Sequence, residues 1–249
     1  SNINNVLRGG RGDDHLSGGD GNDTYLYARG DGHDTIIEET HGGTNDQLRF
    51  IDINPADITL VRSGSDVKLV IAESTAGAGD GGSILLKKSL DEYYSEGVDV
   101  IVFADGTSWS RTQLVERVIA LGQTSGNDTI IGTNINNVLR GGRGDDQLSG
   151  GEGNDTYLYA RGDGYDTIIE ATQGGTNDQL RFTDINPGAI TVTRNGNDIK
   201  LVVSESFKGA GDGGAIILKN SLDNYFNQGV ERITFADGNY WDRAYIVRM

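Results

Sequence analysis

No cysteine occurs among the 249 residues, which excludes a disulfide framework, a thiolate metal site and a cysteine nucleophile. Proline appears twice and methionine once. Positive charge is scarce: 21 Lys and Arg stand against 37 Asp and Glu, a formal net charge of −16. A chain this acidic is a poor partner for nucleic acid or an anionic membrane. No apolar run reaches the ~18 residues a membrane-spanning helix requires, and no secretory leader opens the chain. Ser1 stands first with no initiating methionine, so the chain is expected to be part of a longer one. An acidic surplus over 35% hydrophobic content tends to keep a chain unfolded unless something neutralises it.

Glycine is plentiful, at 38 residues, and it is organised. The segment Asn2-Ile3-Asn4-Asn5-Val6-Leu7-Arg8-Gly9-Gly10 returns as 134–142. The offset of 132 holds without a gap from Asn2–Arg111 to Asn134–Arg243, with 80 of 110 aligned positions identical and 44 of the first 49. The chain is therefore two copies of one unit, each with a nearly invariant first part and a more variable second part. Differences between the copies show which positions this chain tolerates changing.

A shorter period runs inside the first part. Gly9-Gly10-Arg11-Gly12-Asp13-Asp14-His15-Leu16-Ser17 is followed at once by Gly18-Gly19-Asp20-Gly21-Asn22-Asp23-Thr24-Tyr25-Leu26. Both fit G-G-x-G-x-D-x-U-x, with U apolar. The phase returns, two residues late, as Arg29 to Ile37 with Asp34 in sixth place, and more weakly as His41 to Arg49 with Asp46. Asn5 holds the acidic place in a degenerate first element. In the second copy the sixth positions are Asn137, Asp146, Asp155, Asp166 and Asp178, and one further element, Ser125 to Ile131 with Asp128, stands ahead. Alternating glycines permit tight loops with positive φ, and the x-U-x triplet has room only for a very short strand with U inward. Loop and strand at a nine-residue pitch predict a flattened parallel coil whose turns stack to bury a core.

The second part reads differently. Ile58–Arg62 and Val67–Ile71 flank Ser63-Gly64-Ser65-Asp66 and predict a hairpin. Ser83–Lys87 and Val98–Phe103 read as further strands. Leu114, Val115, Val118 and Ile119 sit at helical spacing and predict a helix over Arg111–Ala120. An antiparallel segment that caps the coil is expected.

The nonapeptides resemble the RTX family, the haemolysin-type calcium-binding repeats. The stretch Phe103-Ala104-Asp105-Gly106-Thr107-Ser108-Trp109 is similar to the haemolysin-type calcium-binding-related segment that accompanies them. The resemblance implies an all-β fold of two tandem right-handed parallel β-rolls, each followed by a β-rich cap with one short helix. The expected divisions are 1–50, 51–122, 123–182 and 183–249. It also implies Ca²⁺ between loops one coil apart, held by sixth-position carboxylates and loop carbonyls. Carried onto this chain, the pairs are Asp14–Asp34, Asn5–Asp23, Asp23–Asp46, Asp128–Asp146, Asp146–Asp166, Asn137–Asp155 and Asp155–Asp178. Carbonyls would come from loops containing Gly10, Gly12, Gly19, Gly21, Gly30 and Gly32, and Gly142, Gly144, Gly151, Gly153, Gly162 and Gly164. Asn5 and Asn137 depart from the motif, and Thr44 and Thr176 replace a motif glycine. Seven ions would bring −16 to about −2, turning a self-repelling polyanion into a nearly neutral body. Asp128 has no counterpart in copy one, so copy two is expected to hold one ion more. The helix should stop at Gly122, leaving a short joint before Ser125 and semi-rigid stacking of the units.

Competing signals are weaker. Arg-Gly-Asp occurs four times, at 11–13, 29–31, 143–145 and 161–163, and the nonapeptide phase accounts for each glycine. His15, His33 and His41 become Gln147, Tyr165 and Gln173 in copy two, which argues against a shared general base or zinc ligand. Asn22-Asp23-Thr24 and its relatives fit a glycosylation sequon, but they also sit directly before the repeating aspartate. No G-K-[ST] follows any Gly-rich loop. The expected function is a calcium-binding block that folds on binding the ion after export. It would serve as a structural, extender or secretion-folding module of a large extracellular RTX protein (adhesin, toxin or exoenzyme), without catalysis. Its partners would be calcium ions and neighbouring repeats. A carbohydrate-binding role for Tyr93, Tyr94, Trp109, Tyr225, Phe226, Tyr240 and Trp241 is the alternative.

Overall fold

A computed structural model describes residues 3–38, 43–91, 97–170, 174–222 and 229–248. His41, Gln173, Tyr93, Tyr94, Tyr225 and Phe226 lie outside the described residues. The chain divides into two compact units, Ser1–Val118 and Ile119–Met249.

In the first unit consecutive short strands alternate between two sheets. β1 (Val6–Leu7), β3 (Thr24–Tyr27) and β5 (Gln47–Phe50) pair in parallel in one sheet. β2 (His15–Leu16) and β4 (His33–Ile36) pair in parallel in the other. The loop glycines end each strand after a few residues, and the next strand starts on the opposite sheet. Successive levels, or rungs, place apolar U residues over one another. Leu7 registers with Tyr25, Tyr25 with Leu48, and Leu16 with Ile36. Tyr25 and Leu48 are fully buried.

The second part of the unit does not stand apart as an antiparallel cap. β6 (Ile58–Ser63) and β7 (Asp66–Ile71) form the expected hairpin about Gly64-Ser65. β8 (Gly82–Leu86), however, pairs antiparallel with β7 on one side and parallel with β4 on the other. β9 (Val100–Val102) pairs parallel with β5, and β10 (Ser108–Ser110) then turns back antiparallel to β9. Two strands of the variable part are thus further rungs of the parallel sheets, and the hairpin is an insertion between rungs. The reason lies in register: Ile84 and Ile101 carry the inward positions onward over Asp34 and Leu48. α1 (Arg111–Ala120) buries Leu114, Val115, Val118 and Ile119 as its spacing predicts.

Of the two residues that break the repeat phase, Tyr27 and Ala28, the first starts an aromatic row. Tyr27 meets Phe50 edge-on, Phe50 stacks on Phe103 with centroids 5.4 Å apart, and Phe103 meets Trp109 at 4.6 Å. Each such pair adds ~0.5–1.5 kcal/mol beyond its buried area. The Tyr27 hydroxyl donates to the Gly32 carbonyl at 2.7 Å, which closes the longer loop.

The second unit repeats this plan. β12 (Val138–Arg140), β14 (Thr156–Tyr159), β16 (Gln179–Phe182), β20 (Arg232–Thr234) and β21 (Tyr240–Asp242) make one sheet. β13 (Gln147–Gly151), β15 (Tyr165–Ile168), β19 (Gly214–Leu218), β18 (Asp198–Val203) and β17 (Ile190–Asn195) make most of the other. That sheet gains a sixth strand, β11 (Thr129–Thr133), parallel to β13. α2 spans Arg243–Arg248.

Candidate metal centres

The sixth-position residues stack one rung apart, and every pair is tied by the same hydrogen bond. A carboxylate oxygen accepts the backbone N–H of its partner in the preceding rung. On one side of unit one, the Asn5 amide donates to Asp23 Oδ1 at 2.6 Å and the Asp23 amide to Asp46 Oδ1 at 2.7 Å. On the other, the Asp14 amide donates to Asp34 Oδ1 at 3.1 Å. In unit two the pairs are Asp128–Asp146 at 2.8 Å, Asp146–Asp166 at 3.2 Å, Asn137–Asp155 at 2.7 Å and Asp155–Asp178 at 2.7 Å. The two-residue insertion shifts the Asp14–Asp34 separation to 20 residues without breaking the stack.

One oxygen of each accepting carboxylate is thereby satisfied. The other, in Asp23, Asp34, Asp146, Asp155 and Asp166, is buried with no hydrogen-bond partner, as is Oδ2 of Asp14. Asp23 and Asp155 are wholly buried. The loop curls tightly about these oxygens. A Cβ on Gly18 would lie 1.9 Å from Asp23 Oδ2, and one on Gly141 2.1 Å from Asp146 Oδ2. All twelve loop glycines named above have positive φ, between 77° and 133°. The Gly12, Gly32, Gly144 and Gly164 carbonyls already accept an amide of the next rung, at 3.0–3.3 Å. Gly32 and Gly164 also accept the Tyr27 and Tyr159 hydroxyls at 2.7 Å, so of these four the Gly12 and Gly144 carbonyls keep a lone pair.

Burial raises the proton affinity of these acids. Desolvation, followed by smaller contributions from neighbouring carboxylates, lifts Asp155 to about 7 and Asp166 to about 8, and raises Asp34, Asp46 and Asp146; desolvation alone raises Asp178. A buried carboxylate with an orphan oxygen and no counter-charge is a costly group. A proton or a cation relieves it. The donor set is all oxygen, from carboxylates and Gly-rich loop carbonyls, which suits a hard cation taking about six to eight oxygens.

The linkage sign follows from these raised values. Without a divalent cation the folded state holds protons that the unfolded chain releases near pH 4, so its stability is lost as pH rises through 7–8. In chelator, lowering the pH from ~8 to ~5 should therefore increase the folded fraction, measured by far-UV circular dichroism. A signal that falls over that window would contradict these burial effects.

Two first-rung residues look inward to their own loops. Thr124 gives its amide and hydroxyl to the Asp128 carboxylate at 2.6 and 2.7 Å. Thr133 does the same for Asn137 Oδ1 at 2.6 and 3.2 Å. The residues before the aspartates form a second ladder in the opposite sense: Asn22 Oδ1 accepts from Thr44 and Asn154 Oδ1 from Thr176. The sequon asparagines Asn22 and Asn154 thus serve the stack.

The Arg-Gly-Asp segments divide likewise. Asp31 and Asp163 are buried and paired with Arg8 and Arg140. Arg29 is held by the Ala72 carbonyl and by Asp57 at 2.8 Å. His15 and His33 are exposed, His33 Nδ1 lying 2.9 Å from Ser83 Oγ. Trp109 is buried beneath Arg117, whose guanidinium sits 4.5 Å from its ring centroid.

Four acids outside the motif join the carboxylate stacks. Asp46 donates its amide to Asp99 Oδ2 at 2.8 Å, and Asp178 to Glu231 Oε2 at 2.7 Å, one rung further on. Glu38 comes close to Asp23 and Asp46, and Glu170 to Asp155 and Asp178. In each group one ligand atom per residue lies within 4.8 Å of the others. Reasoning from the nonapeptide missed them because they follow or lie beyond the nonapeptides. The available signal was the comparison of copies: Glu38 is retained as Glu170 and Asp99 as the acid Glu231, while Glu39 becomes Ala171 and His41 becomes Gln173.

The RTX calcium-binding nonapeptide repeat, in four copies, matches residues 1–36 and 123–157. The chain carries RTX calcium-binding repeats. Residues 206–245 match the haemolysin-type calcium binding protein related domain, which places β19 to β21 of the second unit in the accompanying segment. The RTX repeats bind Ca²⁺, and the orphan oxygens of their stacked carboxylates fit that ion. The crystal structure of the extracellular lipase LipA from Serratia marcescens is similar at 16% identity and a TM-score of 0.32, over 87% of this chain and 36% of that one. This chain thus spans about a third of the lipase chain. No curated protein matches.

Proposed function

We propose that each unit is a right-handed parallel β-roll whose stacked loops hold Ca²⁺, and that the chain is a structural or secretion-folding block of a large extracellular RTX protein. The observation that carries this reading is the set of six buried, unpartnered aspartate oxygens on successive rungs. Asp14–Asp34, Asp23–Asp46, Asp146–Asp166 and Asp155–Asp178 would hold ions, as would Asp128–Asp146. The Asn5 and Asn137 rungs would bind last among the seven, since Asn137 is already satisfied by Thr133. When bound, calcium supplies the positive charge that these desolvated carboxylates lack. The protein's own contribution is to fix the carboxylates by their rung-to-rung amide bonds and to exclude competing side chains with glycine. RTX repeats are typical of secreted proteins, which supports a site of action outside the cell, where calcium is abundant.

Ion counting by anomalous scattering from crystals grown in calcium tests the register. Unit two is expected to hold one ion more than unit one, touching Asp128, and Asp128→Ala should remove about one ion while leaving the Asp14–Asp34 site filled. Equal occupancy in the two units would show the register to be wrong.

No turnover is expected from this chain: its stacked carboxylates are committed to metal, and none of its histidines is shared between copies. Hydrolysis of glycan, peptide or lipid by the pure calcium-loaded chain would refute this. A carbohydrate-binding reading rests on one feature, a cleft of about 560 Å³ in the second unit with Tyr240, Trp241 and Tyr245 beside Asn239, Asp242 and Arg248. Tyr240 and Tyr245 are half exposed there, as stacking on a sugar requires. Calcium-dependent binding on a glycan array, lost in Tyr240→Ala, would favour it.

A further inference from the structure

We propose that Glu38 and Glu170 supply a third carboxylate that turns the Asp23–Asp46 and Asp155–Asp178 sites into a separate, tighter class of calcium site, one per unit. This rests on the calcium reading above and goes beyond it, because neither glutamate belongs to the nonapeptide.

In unit one Asp23, Glu38 and Asp46 are 0%, 3% and 2% exposed, and their ligand atoms lie within 4.8 Å of one another. In unit two Asp155, Glu170 and Asp178 are 0%, 7% and 2% exposed, with the same closeness. Glu38 Oε2, Asp23 Oδ2, Asp155 Oδ2 and both Glu170 oxygens are buried without a hydrogen-bond partner. Among the described residues no lysine or arginine forms an ion pair with Asp23, Glu38, Asp155 or Glu170. Three desolvated acids converge where two would complete the repeat motif.

In unit one the glutamate is held in place. The Tyr25 hydroxyl donates to Glu38 Oε1 and accepts the Gly18 amide at 2.7 Å. The Tyr157 hydroxyl accepts the Gly150 amide at 2.6 Å in the matching position. A phenol that orients an anionic ligand from behind is the arrangement that fixes a metal ligand's direction. Drift between the copies agrees: the glutamate is kept while its neighbour at 39 and the residue at 41 change.

The Asp14–Asp34 and Asp146–Asp166 sites have no such third acid among the grouped residues. Calcium affinity rises with ligand charge and site rigidity. The three-carboxylate sites should therefore load first on calcium addition, at concentrations roughly tenfold or more below the others. All donors are hard oxygens, so the site takes Ca²⁺ or a lanthanide in preference to a thiophilic metal.

Calorimetric titration of the full chain with calcium chloride tests this. The expected isotherm shows two tight ions followed by a weaker class. In the double variant Glu38→Gln/Glu170→Gln the two tight ions should move into the weaker class, a shift of roughly tenfold or more. Glutamine keeps an acceptor for the tyrosine, so a purely structural role for the glutamate would leave the isotherm unchanged. Asp34→Asn should instead leave both tight ions in place. A single class in the wild type, or an unchanged isotherm in the glutamine variant, overturns the proposal while calcium binding itself stands. No calcium uptake by the wild type overturns the calcium reading as well. Should the glutamine variants fail to fold, crystals of the wild type soaked in terbium decide the matter. An ion directly bonded to the Glu38 carboxylate supports the proposal, and one bonded only to Asp23 and Asp46 refutes it.

Discussion

In chelator at neutral pH the chain should give the far-UV circular dichroism of a disordered polypeptide, and calcium at a few times ~10⁻³ M should convert it to a β spectrum. The apo fold would bury Asp23, Asp34, Asp46, Asp146, Asp155, Asp166 and Asp178, each less than a tenth exposed, and among the described residues none of them is ion-paired with a lysine or arginine. Such desolvation costs several kcal/mol per unpaired ion by order of magnitude, against a total folding stability of ~5–15 kcal/mol. Repulsion from a net charge of −16 adds to it. Nor does the hairpin β6–β7 offer a refuge, because an isolated two-stranded hairpin is marginal in water. Its third strand, β8, is also hydrogen-bonded to β4, a rung of the calcium-dependent stack. Loss of the cation should therefore unfold the hairpin with the repeats. A chelator spectrum that matches the calcium spectrum would defeat the idea that metal and folding are coupled here.

Replacing Gly164 with alanine should abolish the calcium-induced signal of the second unit, while Gly162→Ala, two residues away, should only weaken it. Both glycines have positive φ, 111° and 79°, and an L-residue there is strained by about 1–2 kcal/mol. The difference lies in space. A Cβ on Gly164 would lie 1.9 Å from the Gly144 carbonyl oxygen of the rung below, an approach no side chain can relieve. A Cβ on Gly162 meets nothing within 4 Å. The clash would force apart two rungs joined by the Tyr165 amide to the Gly144 carbonyl and by the Asp146 amide to Asp166 Oδ1. The measurement is the amplitude and midpoint of the calcium titration by circular dichroism. Equal midpoints for the two variants would mean that rung spacing does not limit folding. Gly32 and Gly12 stand in the same relation in unit one, with a Cβ-to-oxygen distance of 2.0 Å.

The parallel stack was legible in the residues because its cause is local. Glycine at fixed places sets the loops, three residues remain for a strand, and an apolar residue at the centre of each triplet must point inward. Tyr25, Leu48, Tyr157 and Leu180 were placed by that period alone, and so were the one-rung spacings of the sixth-position aspartates. The helix Arg111–Ala120 was legible for the same kind of reason, a spacing that only one face can satisfy.

Tertiary structure decided what no local period encodes. The strands Gly82–Leu86 and Val100–Val102 look like antiparallel neighbours of the hairpin in the sequence, yet they join β4 and β5 in parallel. Their partners lie about fifty residues earlier, and nothing in the strands themselves distinguishes one free sheet edge from another. Tyr27 and Ala28 read as an interruption of the repeat until the row Tyr27–Phe50–Phe103–Trp109 gives them a core to complete. Glu38 and Glu170 are two acids among many in an acidic chain. Their position beside Asp23 and Asp46, or Asp155 and Asp178, exists only once the sheets have stacked. A carboxylate's chemistry follows from how dry its surroundings are and what else shares them, and both are properties of the assembled rungs.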